Sequence, residues 1–236
     1  MSVFVEFDLF VTRALNGFSR DSFLFDRIVY EVSRTDLLKG GVLLALLWWC
    51  WTRRNGQLIS QDLLAIRTVA GALLAILVGR ALQNFLPMRL RPGHEPSLDF
   101  VLPHGVSMTG LDGWSSFPSD HAVLFFALSA AAWASSRVIG LVAFLWTAVV
   151  ICLPRIYLGL HYASDILAGA AVGIAVMAFA LRLPLPPSVY RWLSGLQATH
   201  PGILYALAFL GTYQMATLFA NSRLLVEGLT LVLRHS

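Results

Sequence analysis

Long apolar runs separated by polar turns fill most of the chain after residue 35. A helix needs about 20 apolar residues to cross a bilayer, and six runs approach or reach that length. These candidate spans lie at about 36–52, 62–84, 120–136, 138–154, 163–182 and 202–220. The pattern predicts an all-α fold, a polytopic transmembrane helical bundle of about six spans.

Residues 3–34 follow a different pattern. Apolar side chains recur there at helical spacing, but acidic and basic side chains interleave with them, so neither half of the segment can cross a bilayer. We expect one or two amphipathic helices that lie in the membrane interface and are broken near Asn16. At the end of the first span, Trp48, Trp49 and Trp51 predict an aromatic belt.

The composition is that of a membrane protein. The chain of 236 residues is 57% hydrophobic and only 13% charged, with a mean hydropathy of +0.71. A soluble domain carries about twice that charged fraction. The length suits one helical domain over residues 1–236, which we divide into interfacial helices at 1–35, a transmembrane core at 36–221 and a tail at 222–236.

The charged residues and cysteines exclude some classes of function. The net charge is only +4, and the arginines are scattered among apolar spans without forming a basic face, so we expect no nucleic-acid partner. Cys50 and Cys152 fall inside apolar runs and are expected to be buried thiols, not a disulfide framework or a metal site. We interpret His94 and His104, in the long polar loop, as solvated.

The polar parts of the sequence are expected to meet on one side of the membrane. The loop at 86–117 and the turn at 155–162 are separated by two spans, so six crossings place both on the same side. A loop of more than about 15 residues usually carries function. Three polar motifs, at 84–92, 118–121 and 155–165, therefore share one surface.

The stretch from Arg155 to Asp165 supplies a cation, an imidazole and a carboxylate in a fixed order. If the segment after Gly159 is helical, His161 and Asp165 lie on one face at positions i and i+4. Asp165 would then hold one ring N–H of His161 and leave the other nitrogen free to attack, while Arg155 donates to an oxyanion. The alternative is a helix start at a membrane surface, where the same side chains are also comfortable.

The other two motifs complete a possible anion site. A proline suits the first turn of a helix, and Ser119, which follows it, can cap that helix or donate to a ligand. Free backbone amides at the helix start form a seat for an anion. Arg91, Arg155 and the Ser119 hydroxyl would surround three phosphate oxygens. His161 would attack phosphorus, and His121 would protonate the leaving oxygen from the opposite side.

Together the motifs resemble the tripartite signature of the type 2 phosphatidic acid phosphatase superfamily, which also includes vanadium haloperoxidases and glucose-6-phosphatase. That signature reads Lys, six residues, Arg-Pro; then Pro-Ser-Gly-His; then Ser-Arg, five residues, His, three residues, Asp. It is matched in order and spacing by Arg91-Pro92, by Pro118-Ser119-x-His121 and by Arg155-x5-His161-x3-Asp165. The resemblance implies a metal-independent lipid phosphatase with a phosphohistidine intermediate and no cofactor.

The chain departs from that signature at three positions. Asn84 stands where the family has Lys, Asp120 replaces Gly, and Pro154 replaces Ser. The Pro-Ser-Asp-His form, like the N-terminal pattern around Asn16 and Asp26, is similar to the bacterial undecaprenyl-diphosphate phosphatase branch. The resemblance therefore makes undecaprenyl diphosphate the leading substrate, with phosphatidic acid or phosphatidylglycerol phosphate next.

One cation of the signature is missing, because Asn84 brings no charge. A phosphate in transit needs several fixed cations, so we expect a nearby arginine to substitute. Arg89 faces the same way as Arg91 if the segment is extended, which favours it over Arg80 on the preceding helix. The predicted catalytic residues are His161, His121 and Asp165, and the predicted phosphate-binding residues are Arg91, Arg155, Ser119, Asp120, Arg89 and Asn84.

The expected substrate is a lipid in the bilayer, and we predict no metal and no protein partner. The resemblance implies a multi-pass protein of the bacterial inner (plasma) membrane with its active site on the outer face, although a count of basic residues outside the spans favours the cytoplasm. Two alternatives remain. One is an inactive or transport-type membrane relative, in which His161 is dispensable. The other is a vanadate-dependent haloperoxidase-like enzyme, against which the apolar spans argue.

Overall fold

All regular secondary structure in the described part of the chain is helical. The computed structural model describes residues 3–52, 59–108, 113–184 and 186–218, and no strand occurs among them. The predicted tail at 222–236 and the end of the sixth predicted span lie outside the described residues. For the described residues, the prediction of an all-α bundle is confirmed.

The described residues form ten α-helices. They are α1 (Val3–Asn16), α2 (Phe23–Arg34), α3 (Val42–Thr52), α4 (Ile59–Phe85), α5 (Asp120–Ser135), α6 (Arg137–Trp146), α7 (Leu153–Tyr157), α8 (Ala163–Arg182), α9 (Pro187–Thr199) and α10 (Pro201–Ala216). A π-helical turn at Leu37–Gly41 leads into α3, and another at Thr147–Cys152 joins α6 to α7. Short 3₁₀ turns at Pro92–His94 and Pro96–Leu98 lie in the long loop.

Three helical stretches are long and apolar enough to cross a membrane. They are Leu64–Phe85 in α4, Arg137–Tyr157 through α6 and α7, and Ala163–Arg182, which is α8. The apolar stretch Leu37–Thr52 is shorter, and α5 and α10 have 16 residues each. The second, fourth and fifth predicted spans are thus confirmed. The first, third and sixth are helices of less than spanning length within the described residues.

Helix α5 is the centre of the bundle. Val123, Leu124 and Phe125 are fully buried, and α5 packs against α3, α4, α6 and α8. Its approach to α8 is close at Gly173, where a Cβ would stand 2.1 Å from the Val123 carbonyl oxygen. Small residues are the usual means of close helix packing in membranes, and only glycine fits at this position.

Helices α1 and α2 each turn a buried acidic side chain inward and large apolar side chains outward. Phe4 and Phe10 are exposed by 73% and 72%, whereas Asp8 and Asp26 are buried. A membrane surface accommodates an exposed apolar face of this kind, as expected for helices in the interface. The polar faces are left to contact the rest of the protein.

The hairpin of α1 and α2 holds the tip of the long loop. The Asn16 side chain donates to the carbonyl of Val101 at 2.7 Å and accepts from its N–H at 3.0 Å. Buried Asp26 accepts from the backbone N–H and from ring Nδ1 of His104, both at 2.8 Å. The prediction that His104 is merely solvated is therefore wrong, and Asn16 and Asp26 have a structural role.

The predicted aromatic belt is wrong. Trp51 is only 1% exposed and packs edge-on against Trp48 at 5.7 Å, so of the predicted belt only Trp49 is exposed. Residues three apart share a helix face, and here that face points into the bundle.

Helix α9 begins at a proline. Pro187 occupies the first helical turn, where its missing N–H costs nothing.

Candidate active site

Backbone hydrogen bonds close the long loop and bring the motifs together. The N–H of Ser116 donates to the carbonyl of Arg89 at 2.9 Å, so the two ends of the loop lie side by side. The N–H of Gly93 donates to the carbonyl of Gly159 at 2.9 Å and ties the first motif to the third. The expected meeting of the polar motifs is thus present in the structure.

Gly159 makes the tight turn that presents His161. Its φ of +72° lies in the left-handed region, and a Cβ would stand 2.7 Å from a ring carbon of Phe100. The N–H groups of Leu160 and His161 both donate to the carbonyl of Arg155, at 2.9 and 3.3 Å. Arg155 and His161 are therefore held at the two ends of one closed turn.

The imidazole of His161 is oriented by a backbone carbonyl. Its Nδ1 lies 2.9 Å from the carbonyl oxygen of Ser116, which can only accept, so Nδ1 carries the proton and Nε2 keeps its lone pair. Asp165 Oδ2 is 3.7 Å from the same Nδ1, beyond hydrogen-bond distance. The predicted helical i, i+4 pair is wrong, because α8 begins at Ala163 and leaves His161 outside the helix.

The surroundings of His161 favour the neutral ring. Burial lowers the pKa of His161; Asp165 raises it, and the cations Arg91 and Arg155 lower it further. The net direction is down, so an unprotonated Nε2 is available at neutral pH. A neutral imidazole with a fixed tautomer has the properties of a nucleophile.

Three buried polar atoms at the motifs have no hydrogen-bond partner among the described residues. They are Arg91 Nε, Arg155 Nε and Ser119 Oγ. Arg91 and Arg155 are each 9% exposed, and Ser119 is fully buried. Buried polar groups are rarely left unpaired, so these atoms indicate a site built for an anionic ligand.

Ser119 is fixed by its backbone and not by its side chain. It immediately precedes α5, but its hydroxyl makes no capping bond. Its N–H donates to the carbonyl of Asp165 at 3.2 Å, which ties the second motif to the third. Of the two predicted roles, capping is therefore excluded, and the hydroxyl remains available for a ligand.

His121 lies against Arg155. The guanidinium of Arg155 donates to Nε2 of His121, so one ring nitrogen of this histidine is engaged. Lys39, the only lysine of the chain, is also nearby: it is 8% exposed, pairs with Asp36 at 2.9 Å and acts electrostatically on both Arg155 and His121. The sequence analysis did not assign Lys39 to the site.

Asp120 pairs with helix α4. Its carboxylate lies 2.6 Å from the guanidinium of Arg80 and accepts from Gln83 Nε2 at 2.7 Å. Gln83 also donates to the Pro118 carbonyl at 2.8 Å. The predicted phosphate-binding role of Asp120 does not fit this setting. Its carboxylate is negatively charged like the phosphate, and it is paired with Arg80. Asp120 instead fixes the start of α5 on α4.

Arg89 lies in a different setting from the predicted one. One of its nitrogens donates to Asp165 Oδ1 at 2.7 Å and the other to Asp8 Oδ2 at 2.5 Å. Its guanidinium stacks on the Tyr162 ring at 4.1 Å from the centroid. Two carboxylates thus occupy Arg89, and Asn84 is exposed at the end of α4. Neither has the phosphate-facing position that we predicted.

Asp8 is the functional candidate that the sequence analysis missed. It is 2% exposed and receives the Ser164 N–H at 2.8 Å and the Ser164 hydroxyl at 2.6 Å, besides Arg89. The sequence signal was weak: one acidic residue among several in an amphipathic helix, separated from its partner by 156 positions. Gln83 was also missed, because its partners Pro118 and Asp120 lie 35 and 37 positions later in the chain.

The described residues contain no group of three or more His, Cys, Asp or Glu side chains arranged to hold a metal ion. His94, whose Nε2 lies 3.2 Å from the Met108 carbonyl oxygen, is engaged with the loop backbone and was wrongly interpreted as solvated. Arg91 and Arg155 are buried cations at this site, and each has an unpaired Nε atom.

Comparisons with known proteins identify the family of this chain. The family model of the PAP2 superfamily matches residues 64–186. The bacitracin transport permease protein BcrC of Bacillus licheniformis is 24% identical over 173 residues, which are 72% of this chain and 77% of that protein. Lipid A 4'-phosphatase of Porphyromonas gingivalis is 31% identical over 152 residues, 60% of this chain and 61% of that protein.

A solved structure shares the fold. The crystal structure of a transmembrane PAP2-type phosphatidylglycerolphosphate phosphatase from Bacillus subtilis aligns with a TM-score of 0.51 at 15% identity, over 76% of this chain and 85% of that one. The family match covers more than half of the chain and includes all three motifs. This integral membrane protein therefore belongs to the PAP2 superfamily and is a hydrolase of the phosphatase class.

Proposed function

We propose that the chain hydrolyses a lipid phosphate or diphosphate through a phosphohistidine formed on His161. The observation that carries the proposal is the setting of His161. Its Nδ1 is bound to the Ser116 carbonyl, which leaves Nε2 as the nitrogen with a lone pair, and the buried cations Arg91 and Arg155 act electrostatically on the ring. Arg91, Arg155 and Ser119 each have an unpaired buried donor. A nucleophile next to a cluster of cationic donors is what phosphoryl transfer requires.

In the proposed reaction, Nε2 of His161 attacks phosphorus and forms an N–P bond as the bond to the leaving oxygen breaks. Arg91, Arg155 and the Ser119 hydroxyl donate to the three equatorial oxygens. His121 gives a proton to the leaving oxygen and later takes one from the water that hydrolyses the phosphohistidine. In the structure Arg155 donates to Nε2 of His121, so that nitrogen carries no proton. We expect the bound phosphate to draw Arg155 away, and its negative charge to favour uptake of a proton from solvent on Nε2, which His121 then gives to the leaving oxygen.

Asp165 has a different role in this proposal from the one that the sequence suggested. Its Oδ2 accepts from the Tyr162 N–H at 2.8 Å and its carbonyl accepts from Ser119 N–H. The residue thus holds the backbone next to the nucleophile and next to the phosphate-binding hydroxyl. Asp165→Asn is expected to slow the reaction without abolishing it.

The proposed substrate is undecaprenyl diphosphate, followed by phosphatidic acid or phosphatidylglycerol phosphate. Asp120 and the Asn16 and Asp26 positions support the first, through their similarity to the undecaprenyl-diphosphate phosphatase branch. The relative named lipid A 4'-phosphatase supports a lipid phosphate in general. A largely apolar cavity of about 810 Å³ beside Arg89 and Ser164 offers room for a hydrocarbon chain. We place the protein in the bacterial inner membrane with its site on the outer face.

A second candidate is a transport function, which the name of the relative called a transport permease favours. In that case bound phosphate would cross the membrane unhydrolysed, and His161 would be dispensable. The two candidates are separated by phosphate release.

The test is phosphate release by the detergent-solubilised full chain from undecaprenyl diphosphate, phosphatidic acid and phosphatidylglycerol phosphate. We expect turnover of at least one lipid, rapid labelling of the protein from a ³²P-labelled substrate, and loss of both in His161→Ala. Full activity of His161→Ala would refute the mechanism. A folded wild-type protein that releases no phosphate from any of the lipids would refute the function.

A further inference from the structure

Helix α1 places one buried carboxylate against the start of α8. Asp8 is 2% exposed, although its neighbours Glu6 and Phe7 are exposed. It accepts from the N–H and the hydroxyl of Ser164, at 2.8 and 2.6 Å, and from Arg89 at 2.5 Å. A carboxylate taken out of water is costly unless it is paired in this way, so its location is specific.

Arg89 connects Asp8 to Asp165. The guanidinium is a rigid planar fork, and its two terminal nitrogens point to the two carboxylates, at 2.5 Å from Asp8 and 2.7 Å from Asp165. The Tyr162 ring supports it from one side at 4.1 Å. Because the guanidinium is rigid, the bond from one terminal nitrogen to Asp8 also sets the position of the other terminal nitrogen, which binds Asp165.

Asp165 passes this constraint to two groups of the proposed site. Its Oδ2 holds the N–H of Tyr162, the residue directly after His161, at 2.8 Å. Its carbonyl holds the N–H of Ser119 at 3.2 Å. Asp165 Oδ2 lies 3.7 Å from Nδ1 of the His161 ring, which is too far for a hydrogen bond. The coupling between the two residues therefore runs through the backbone.

We propose that Asp8 is a positioning residue for the phosphatase reaction, acting through Arg89 and Asp165 on the placement of His161 and Ser119. The N-terminal helix is then part of the active site, although it lies outside the region that defines the family, 64–186. This inference rests on the proposed nucleophilic role of His161, and not on which lipid is the substrate.

A double-mutant cycle tests the proposal, with kcat and KM measured for the soluble ester p-nitrophenyl phosphate and for the lipids above. Asp8→Asn keeps the shape of the side chain and removes its charge. We expect kcat to fall about 10- to 100-fold at unchanged KM, because misplacement of a reacting group by about 1 Å costs about that much. Arg89→Ala should have a similar effect. Adding Asp8→Asn to Arg89→Ala should then lower kcat by less than about twofold, because the path is already broken.

Two controls distinguish positioning from simple anchoring of α1. Glu6→Gln removes an exposed carboxylate from the same helix and should leave kcat unchanged. Asn16→Ala weakens the attachment of the hairpin to the loop without touching Asp165, and should lower thermal stability with little change in kcat. Asp8→Glu, which keeps the charge, should restore part of kcat.

The outcomes are distinct. Equal losses from Asp8→Asn in the wild-type and Arg89→Ala backgrounds would show that Asp8 only anchors the helix, and would overturn the proposal. A raised KM at constant kcat would also overturn the proposal. Asp8 lines the apolar cavity, and that result would show that it contributes to substrate binding and not to positioning. If Asp8→Asn does not fold, Arg89→Ala provides the test. Because the proposed path from Asp8 runs through Arg89, an unchanged kcat in that variant would overturn the proposal. Turnover of the soluble ester without turnover of any lipid would refute the lipid substrate, and the role of Asp8 could still be tested with the ester. Turnover of neither substrate would refute both the proposed function and the role of Asp8.

Discussion

Gly173 on α8 is a position where a single added methyl group is expected to disturb the site through helix packing. Gly173→Ala places a Cβ 2.1 Å from the carbonyl oxygen of Val123, whereas ordinary contact begins at 3.4 Å. The obstacle is backbone, so α5 and α8 must separate by about 1 Å. Val123 N–H donates to the Ser119 carbonyl at 2.9 Å, so the shift reaches Ser119 directly.

The expected losses follow from this displacement. Ser119 donates to the carbonyl of Asp165 at 3.2 Å, and a separation of the helices lengthens that bond beyond hydrogen-bond range. Overpacking of this kind costs about 1–3 kcal/mol of stability. Misplacement of the Ser119 hydroxyl by about 1 Å lowers kcat about 100-fold.

The assay is phosphate release together with thermal unfolding of Gly173→Ala in detergent. Gly211→Ala is the matched control: it also adds a methyl group to a helix, α10, but finds no atom within 4 Å. We expect the control to be as active as the wild type and slightly more stable, by up to about 1 kcal/mol. Wild-type kcat in Gly173→Ala would refute the conclusion that close packing of α5 on α8 positions Ser119.

Three further predictions concern charge. Because burial lowers the pKa of His161 and the neutral ring is the nucleophile, kcat/KM should stay constant as pH falls to the ordinary value of 6.5 and decline only below it; a decline centred at or above 6.5 would contradict this. Since Arg91 and Arg155 neutralise the phosphate, activity should survive EDTA and be inhibited by vanadate, and a requirement for added Mg²⁺ would show another electrostatic partner. Asn84→Lys should not rescue Arg89→Ala, because Asn84 is exposed and Arg89 binds carboxylates; recovery of kcat would restore the surrogate-cation hypothesis.

The sequence predicted the features that depend on local pattern. Apolar runs located the helices, and α8 begins and ends at the predicted residues, 163 and 182. The count of membrane crossings predicted that the motifs carrying Arg91, Ser119, Arg155 and His161 would share one surface. Both kinds of inference use only the period of the helix and the side on which a loop emerges.

Contacts between distant segments could not be predicted in this way. The partner of His161 Nδ1 is the backbone carbonyl of Ser116. Every residue has such a carbonyl, so the residue types in the sequence cannot show which one is used. Arg89 could pair with phosphate or with carboxylates, and the choice depends on Asp8, from another helix. Trp51 has the composition of an interfacial residue, and only its place in the packed bundle makes it a core residue.

The attachment of the N-terminal hairpin also constrains how the protein is made. Asn16 and Asp26 bind residues 85 and 78 positions later, and Asp8 binds Ser164 after 156 positions. The hairpin therefore leaves the ribosome long before its partners exist, and contacts of such sequence separation form late because loop closure costs entropy. Until then the polar face of α1 stays hydrated at the membrane surface. Helix α1 is thus made well before its partners and is among the last elements to dock, and buried Asp8 gains its hydrogen bonds to Ser164 and Arg89 only at that late step.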